Sequence, residues 1–388
     1  MDPVAFFPEE VADDIFHHLE GKDIKESTLV NSDWNGYVGS SSKCMQKLRI
    51  DTKTRSQAEL QNILEVIKNR HHQNVIIHDM YWVDELIITK FHSWKAIQIN
   101  SCEFTLPAFQ QLLKAMSPAV EELVLDSVKI VSIETEDKPK AFYKPETVCD
   151  RVTFKNLKTL KIYGDGHNFS LDFFDAPALA NLHLQGNLIH KDYTTNAVNE
   201  YLLRLRKLKK LFMDSQWFNL IYEFNYDGRE YPFELEVFSV TRGPVVVRFL
   251  YYESNFEKFM VKQSKTIRKF SLCDFVGLDA MKIIYEMPFL KAFTVCDCPW
   301  FIFANIRAYK HFVHSVEFLD IALLDTSSEK KMEHILLIFP NLEYLRIREV
   351  NEQIANLILE NLHHVKTIRV VHNPETKIVK LLPNIKWV

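Results

Sequence analysis

The sequence predicts an α/β fold built by repetition, with short strands and helices alternating along most of the chain behind a small helical module. Three observations carry that expectation. A strand pattern, apolar-x-x-apolar-x-apolar, recurs at intervals of 22 to 37 residues. Prolines stand two residues before the strand's first apolar position at Pro118, Pro177, Pro288, Pro340 and Pro383, where a missing N–H stops a helix and biases its neighbour toward extended geometry. Between strands, apolar residues fall at i, i+3, i+4 and i+7, one face of a helix.

The stretch from Met332 to Ile347 shows the unit plainly. Met332, Ile335, Leu336 and Phe339 make the helical face, Pro340 ends it, and Leu342, Leu345 and Ile347 alternate as a strand. Phe109/Leu112/Leu113/Met116, Val198/Tyr201/Leu202/Leu205 and Leu60/Ile63/Leu64/Ile67 repeat the helical face, the last opened by a Ser56–Glu59 capping box. Strand copies are expected at Trp94-Lys95-Ala96-Ile97-Gln98-Ile99, Val120 to Leu125, Leu157 to Ile162, Leu179 to Leu184, Leu208 to Met213, Leu235 to Val240 and Ile267 to Leu272. Others follow at Leu290 to Val295, Val313 to Phe318, Leu342 to Ile347 and Val365 to Val370, with weaker copies at Cys44 to Ile50 and Val75 to His78. No unit buries its apolar face alone; stacking does that. The period is that of leucine-rich repeats. The expected architecture is therefore a horseshoe, with a parallel sheet on the concave face and helices on the convex face. About 12 to 13 degenerate repeats fill residues 44–388, with polar insertions near 131–152 and 225–234.

Residues 1–43 read differently. Pro8 suits a first helical turn, and Val11, Ile15, Phe16 and Leu19 form an apolar face ended by Gly21. Short helices follow at Asp23 to Leu29 and Ser32 to Val38. Phe7-Pro8-x-Glu10-Val11, Ile15-Phe16-x-x-Leu19, Asp23-Ile24, Val30 and Trp34 resemble an F-box. Phe7 stands for that family's leucine, Asn31 for its cysteine and Asp33 for the residue before its tryptophan. The resemblance implies a three-helix module that binds the Skp adaptor of SCF-type cullin–RING ubiquitin ligases. It implies adaptor contacts at Phe7, Pro8, Val11, Ile15, Phe16, Leu19, Ile24, Val30 and Trp34. The repeats would then hold a protein substrate, and the chain would be a receptor subunit, no enzyme itself and needing no cofactor. The alternatives are a non-ligase repeat scaffold or inhibitor whose helices only cap the solenoid, which every solenoid end requires, and, more distantly, a metal enzyme.

Composition narrows the classes. The 388 residues carry a net charge of −4 with mixed signs, which gives no footprint for nucleic acid or a membrane surface. No apolar run is long enough to span a bilayer, and the N-terminus has no secretion-signal pattern. The cysteines Cys44, Cys102, Cys149, Cys273, Cys296 and Cys298 are scattered rather than framed, which points to a reducing compartment, cytoplasm or nucleus. Only nine glycines are present, and no nucleophile elbow, phosphate loop or dinucleotide fingerprint appears. Cys296-x-Cys298 with His311-x-x-His314 imitates a zinc finger, but its flanking spacings are each one residue too tight. The outward strand residues are the candidates for substrate contact: Lys161, Tyr163, His183, Phe212, Glu317, Arg346, Arg348 and Arg369. Arginine forks suit carboxylate or phosphate. Tyr163, His183 and Phe212 would make an aromatic anchor.

Overall fold

The computed structural model describes residues 9–52, 58–59, 62, 73–79, 94–131, 150–164, 169–186, 195–222, 230–243, 259–260, 262–273, 280–296, 312–322, 329–372 and 374–388. The chain divides into two compact units, Met1–Leu179 with Leu188–Tyr193, and Ala180–Asn187 with Thr194–Val388. The Leu60 helical face, its capping box, Phe7 and Pro8 lie outside the described residues, as do most of the two expected insertions.

Among the described residues the first unit begins with the helices α1 (Glu9–His17), α2 (Gly21–Ser27), α3 (Ser32–Ser40) and α4 (Ser42–Lys47). Phe16, Ile24, Val38, Cys44 and Met45 form their shared core, with Leu19, Trp34, Tyr37 and Leu48 packed around it. Asn31 caps α3: its side-chain oxygen accepts from the backbone N–H groups of Asp33 and Trp34, both at 2.9 Å. Lys47 ties the last helix to the first by donating to the carbonyls of Phe16 (3.3 Å) and Leu19 (3.0 Å), at and just past the end of α1. The fourth helix corrects the expected strand copy at Cys44. Ser41 accepts from the N–H of Cys44 and starts a helix there, because Cys44 and Met45 bury into the helical core rather than a sheet.

Strands β1 (Arg49–Thr52), β2 (Asn74–His78), β3 (Ala96–Asn100), β4 (Glu103–Thr105), β5 (Glu122–Asp126), β6 (Lys129–Val131), β7 (Val152–Thr153), β8 (Thr159–Tyr163) and β9 (Phe174–Asp175) follow in this unit. β1, β2, β3, β5 and β8 pair in that order, all parallel. β4 with β6, and β7 with β9, add two short parallel pairs. Helix α5 (Leu106–Met116) buries Phe109, Leu112, Leu113 and Met116, as its spacing predicts. Its Phe109 packs against Phe104, Phe169 and Phe173 at ring separations of 5.3 to 5.9 Å. The repeats of β2, β3, β5 and β8 turn out of their strands through one left-handed residue each: Asp79, Ser101, Ser127 and Gly164. The N–H groups of the first three donate to the next strand. At Gly164 a Cβ would lie 2.1 Å from the Ser127 hydroxyl, so the position excludes any side chain.

The second unit continues the rule with β10 (Asn181–Leu184), α6 (Thr195–Leu202), β11 (Lys210–Asp214), α7 (Ser215–Tyr222), β12 (Val237–Thr241), β13 (Lys269–Cys273), α8 (Ala280–Tyr285) and β14 (Ala292–Cys296). It ends with β15 (Phe318–Asp320), α9 (Glu329–Ile338), β16 (Tyr344–Ile347), α10 (Glu352–Asn361), β17 (Thr367–Val370), α11 (Thr376–Leu381) and β18 (Lys386–Trp387). Among the described residues its strands pair in sequence order, all parallel. One core position is phenylalanine in three successive strands: Phe238, Phe270 and Phe293 stand in register with rings about 6 Å apart.

Two expectations need correction here. The strand copy expected at Val313-x-x-Val316-x-Phe318 is displaced by three residues. Val316, Leu319 and Ile321 are fully buried, and Leu319 pairs with Phe293 and Leu345. The same stretch satisfies the template twice, and burying Leu319 and Ile321 decides between them. Phe318 and Asp320, not Glu317, therefore take the strand's outward positions. The cysteines are also not all scattered. Cys273 and Cys296 oppose each other on β13 and β14 with Cα atoms 4.7 Å apart, within reach of a disulfide. Their 23-residue separation is one repeat, which places them side by side.

Candidate functional site

Every repeat in this fold repeats a strand position, so side chains far apart in sequence line up in rows. The first variable position of the strand pattern is the clearest row. It holds Lys95, Glu121 and Lys158 in the first unit, and Lys209, Glu236, Arg268, Lys291, Glu317, Glu343 and Lys366 in the second. Glu121 bridges Lys158 at 2.6 Å and Lys95 at 3.7 Å, and in the second unit Lys209 meets Glu236, Lys291 meets Glu317 and Lys366 meets Glu343. The Lys158 partner holds the Glu121 carboxyl below its usual range. Glu317 fits this row only in the corrected register. Such exposed pairs contribute little each, but they neutralise the strand ends.

The first unit's outward face carries two predicted residues, Lys161 and Tyr163, and the structure brings both to one cavity. It holds about 430 Å³ and is walled by Lys47, Asn74, Gln98, Glu122, Lys161 and Tyr163. Lys161 is held by Glu122 at 2.7 Å, and burial pushes the Tyr163 hydroxyl up from its ordinary value. Beside the cavity, Asp51, His78, Asn100 and Gln98 form a chain of polar contacts across three strands, at 3.0 to 3.2 Å.

On the second unit, His183 and Phe212 stack with centroids 4.1 Å apart. Two of the three rings of the expected anchor thus meet, while Tyr163 belongs to the first unit. Nearby, Asp214 is buried and accepts from the N–H groups of Gly186, Gln216 and Trp217, capping α7. Burial nonetheless raises its pKa above the ordinary value. Farther along, Arg346 donates to Asp320 at 3.0 Å and stands in register with Arg369. Arg348 and Arg369 are exposed. Sequence reasoning missed Phe318, which stacks on Tyr344 at 4.6 Å; the buried alternation Val316/Leu319/Ile321 was the signal that could have found it.

The N-terminal helices divide the proposed adaptor contacts. Phe16 and Ile24 are buried in the helices' own core, and Trp34 and Leu19 are half-buried against it, with the Trp34 ring 5.6 Å from Phe16. Val11 (41 %), Ile15 (44 %) and Val30 (59 %) remain exposed, as does Leu29 at 83 %. Val11 and Ile15 are four residues apart on α1 and share one face. Phe16 and Ile24 therefore hold the helices together rather than face a partner. Among the described residues no group of side chains assembles a metal site, and no helix is long and apolar enough to cross a membrane. Cys298 and His311 of the zinc-like cluster lie outside them.

A strand and a return segment per repeat, stacked through parallel strands within each unit, make an α/β fold of leucine-rich-repeat type. No protein-family model and no curated protein matches the chain. Among solved structures it is similar to an internalin from Listeria monocytogenes (10% identity, TM-score 0.42, covering 85% of this chain and 93% of that one). It is also similar to a leucine-rich-repeat protein from Leptospira interrogans (13% identity, TM-score 0.38, covering 89% and 91%). At those scores neither adds to what the strand register establishes.

Proposed function

We propose that this chain is the substrate-receptor subunit of an SCF-type cullin–RING ubiquitin ligase. Its N-terminal helices would dock on the Skp adaptor, and its strand faces would hold a target protein. The observation that carries the reading is that Val11 and Ile15 on one face of α1, and Leu29 and Val30 after α2, are left exposed on a module that already has its own core. A module that served only to cap the repeats has no need to present such residues to water. The F-box spacing from Val11 to Trp34 supports the same assignment. Catalysis in such a complex is positional: holding a target lysine near a charged E2 makes the transfer effectively intramolecular. No thioester cysteine on this chain is required, and the complex would work in the cytoplasm or nucleus, where Cys273 and Cys296 would be kept as adjacent thiols.

Co-expression with the Skp adaptor tests the reading. The wild-type chain should co-purify stoichiometrically, and Ile15→Asp should release the adaptor without unfolding the helices, because Ile15 lies outside their core. A soluble, monodisperse chain indifferent to the adaptor would instead establish a repeat scaffold with a helical cap.

A further inference from the structure

We infer that the outward face of β15, β16 and β17 binds an extended, anionic protein segment that carries an aromatic side chain. Arg369 and Arg348 would receive its carboxylate or phosphate oxygens, and the Phe318–Tyr344 pair would receive its ring. This deepens the receptor reading above, and rests on it, by naming the kind of segment a target offers.

Three observations point there. Phe318 and Tyr344 stand in register on adjacent strands, their rings stacked at 8° and both only partly covered, so together they present an apolar ridge of ring edges and outer faces. In the next outward row Asp320, Arg346 and Arg369 stand side by side. Asp320 neutralises Arg346 alone, while Arg348 and Arg369 form no ion pair among the described residues. In the row on the other side of the ring pair, Lys291–Glu317 and Lys366–Glu343 cancel. On β15 to β18 the positive charge without an ion pair among the described residues thus lies beside the ring pair, at Arg348, Arg369 and the exposed Lys386, with the exposed Glu349 next to Arg348 in sequence. Two or three cations match one or two anionic groups next to a ring, the anchor-plus-charge arrangement of peptide recognition. They do not match a run of nucleic-acid phosphates, and the chain's net charge of −4 argues the same way.

Biolayer interferometry on the full chain, held with its adaptor if needed for solubility, tests the assignment with three polymers: poly(Glu,Tyr), poly(Glu) and poly(Lys,Tyr). Poly(Glu,Tyr) should bind at least about tenfold tighter than poly(Lys,Tyr), and the double variant Arg348→Glu/Arg369→Glu should lose about tenfold, the scale of one charge-assisted contact. Tyr344→Leu should reduce poly(Glu,Tyr) to the level of poly(Glu), with an unchanged melting curve showing that the fold persists. Tighter binding of the tyrosine-phosphorylated copolymer would assign phosphate, and unchanged binding would assign carboxylate. Equal binding of the acidic and basic copolymers, full retention by the double variant, or displacement by a single-stranded oligonucleotide would overturn it. Adaptor capture by these variants should be unaffected, so loss of adaptor binding and loss of copolymer binding test separate readings.

Discussion

Asp214 and Glu121 are two carboxylates that their surroundings push in opposite directions. Asp214 is buried, and although three backbone N–H groups donate to it, desolvation wins and raises its pKa above 3.8. A raised carboxyl binds its proton more tightly in the folded chain, so its stabilisation is complete below the unfolded value and is lost as pH rises through the folded one. Glu121 is the reverse. Its hydrogen bond from Lys158 lowers its pKa below 4.5, so its stabilisation is present above that value and is lost as pH falls through the folded one. We expect the urea midpoints of wild type and Asp214→Asn to diverge as the solution is acidified from neutral, in favour of wild type. Those of wild type and Glu121→Gln should converge over the same acidification. Parallel pH series on the three proteins check both signs, and a common direction for the two pairs would contradict the assignment.

Single elements carry the next level of choice, and β15 is the most instructive. The stretch Val313 to Ile321 offers two apolar triplets three residues apart, and pattern alone does not rank them. The fold ranks them, because only the later triplet places Leu319 between Phe293 and Leu345 and Glu317 in the charged row beside Lys291. Leu319→Ser should therefore destabilise the chain by about 3 kcal/mol or more, the cost of a core cavity that also buries a hydroxyl. Phe318→Ser should cost only about 1 kcal/mol, the scale of one aromatic pair. Chemical unfolding of the two variants decides, and the opposite ranking would restore the earlier triplet. Helix α3 gives a second case. Asn31 interrupts the F-box pattern yet satisfies two N–H groups at the helix start, so Asn31→Ala should cost about 1 kcal/mol, read as early loss of helical signal on heating.

At the scale of the whole chain, most of the fold was legible because a repeat fold writes its core rule many times, and errors in one copy are outvoted by the rest. The strands at Ile97, Leu123, Leu160, Leu211, Phe238 and Phe270 all bury the residues their spacing assigns. The sites were less legible, because a site depends on which neighbours meet, and neighbours lie a repeat apart in sequence. The pairing of Lys161 with Glu122, of Arg346 with Asp320 and of Cys273 with Cys296 all required the register. The N-terminal contacts were likewise a mixed set until burial separated Phe16 and Ile24 from Val11, Ile15 and Val30. That separation makes the adaptor reading testable without any adaptor. The exposed aliphatic residues should drive self-association of the isolated chain, whereas the buried ones should not. Ile15→Asp should raise the monomer fraction in sedimentation while leaving the melting temperature within about a degree or two, as expected for a surface position. Phe16→Ala should lower stability by about 3 kcal/mol and worsen association by opening the module. If the receptor reading holds, the substitution that makes the free chain better behaved is also the one that abolishes adaptor capture. An Ile15→Asp chain that stays aggregated, or that still captures the adaptor, would separate the two properties and remove the surface from that role.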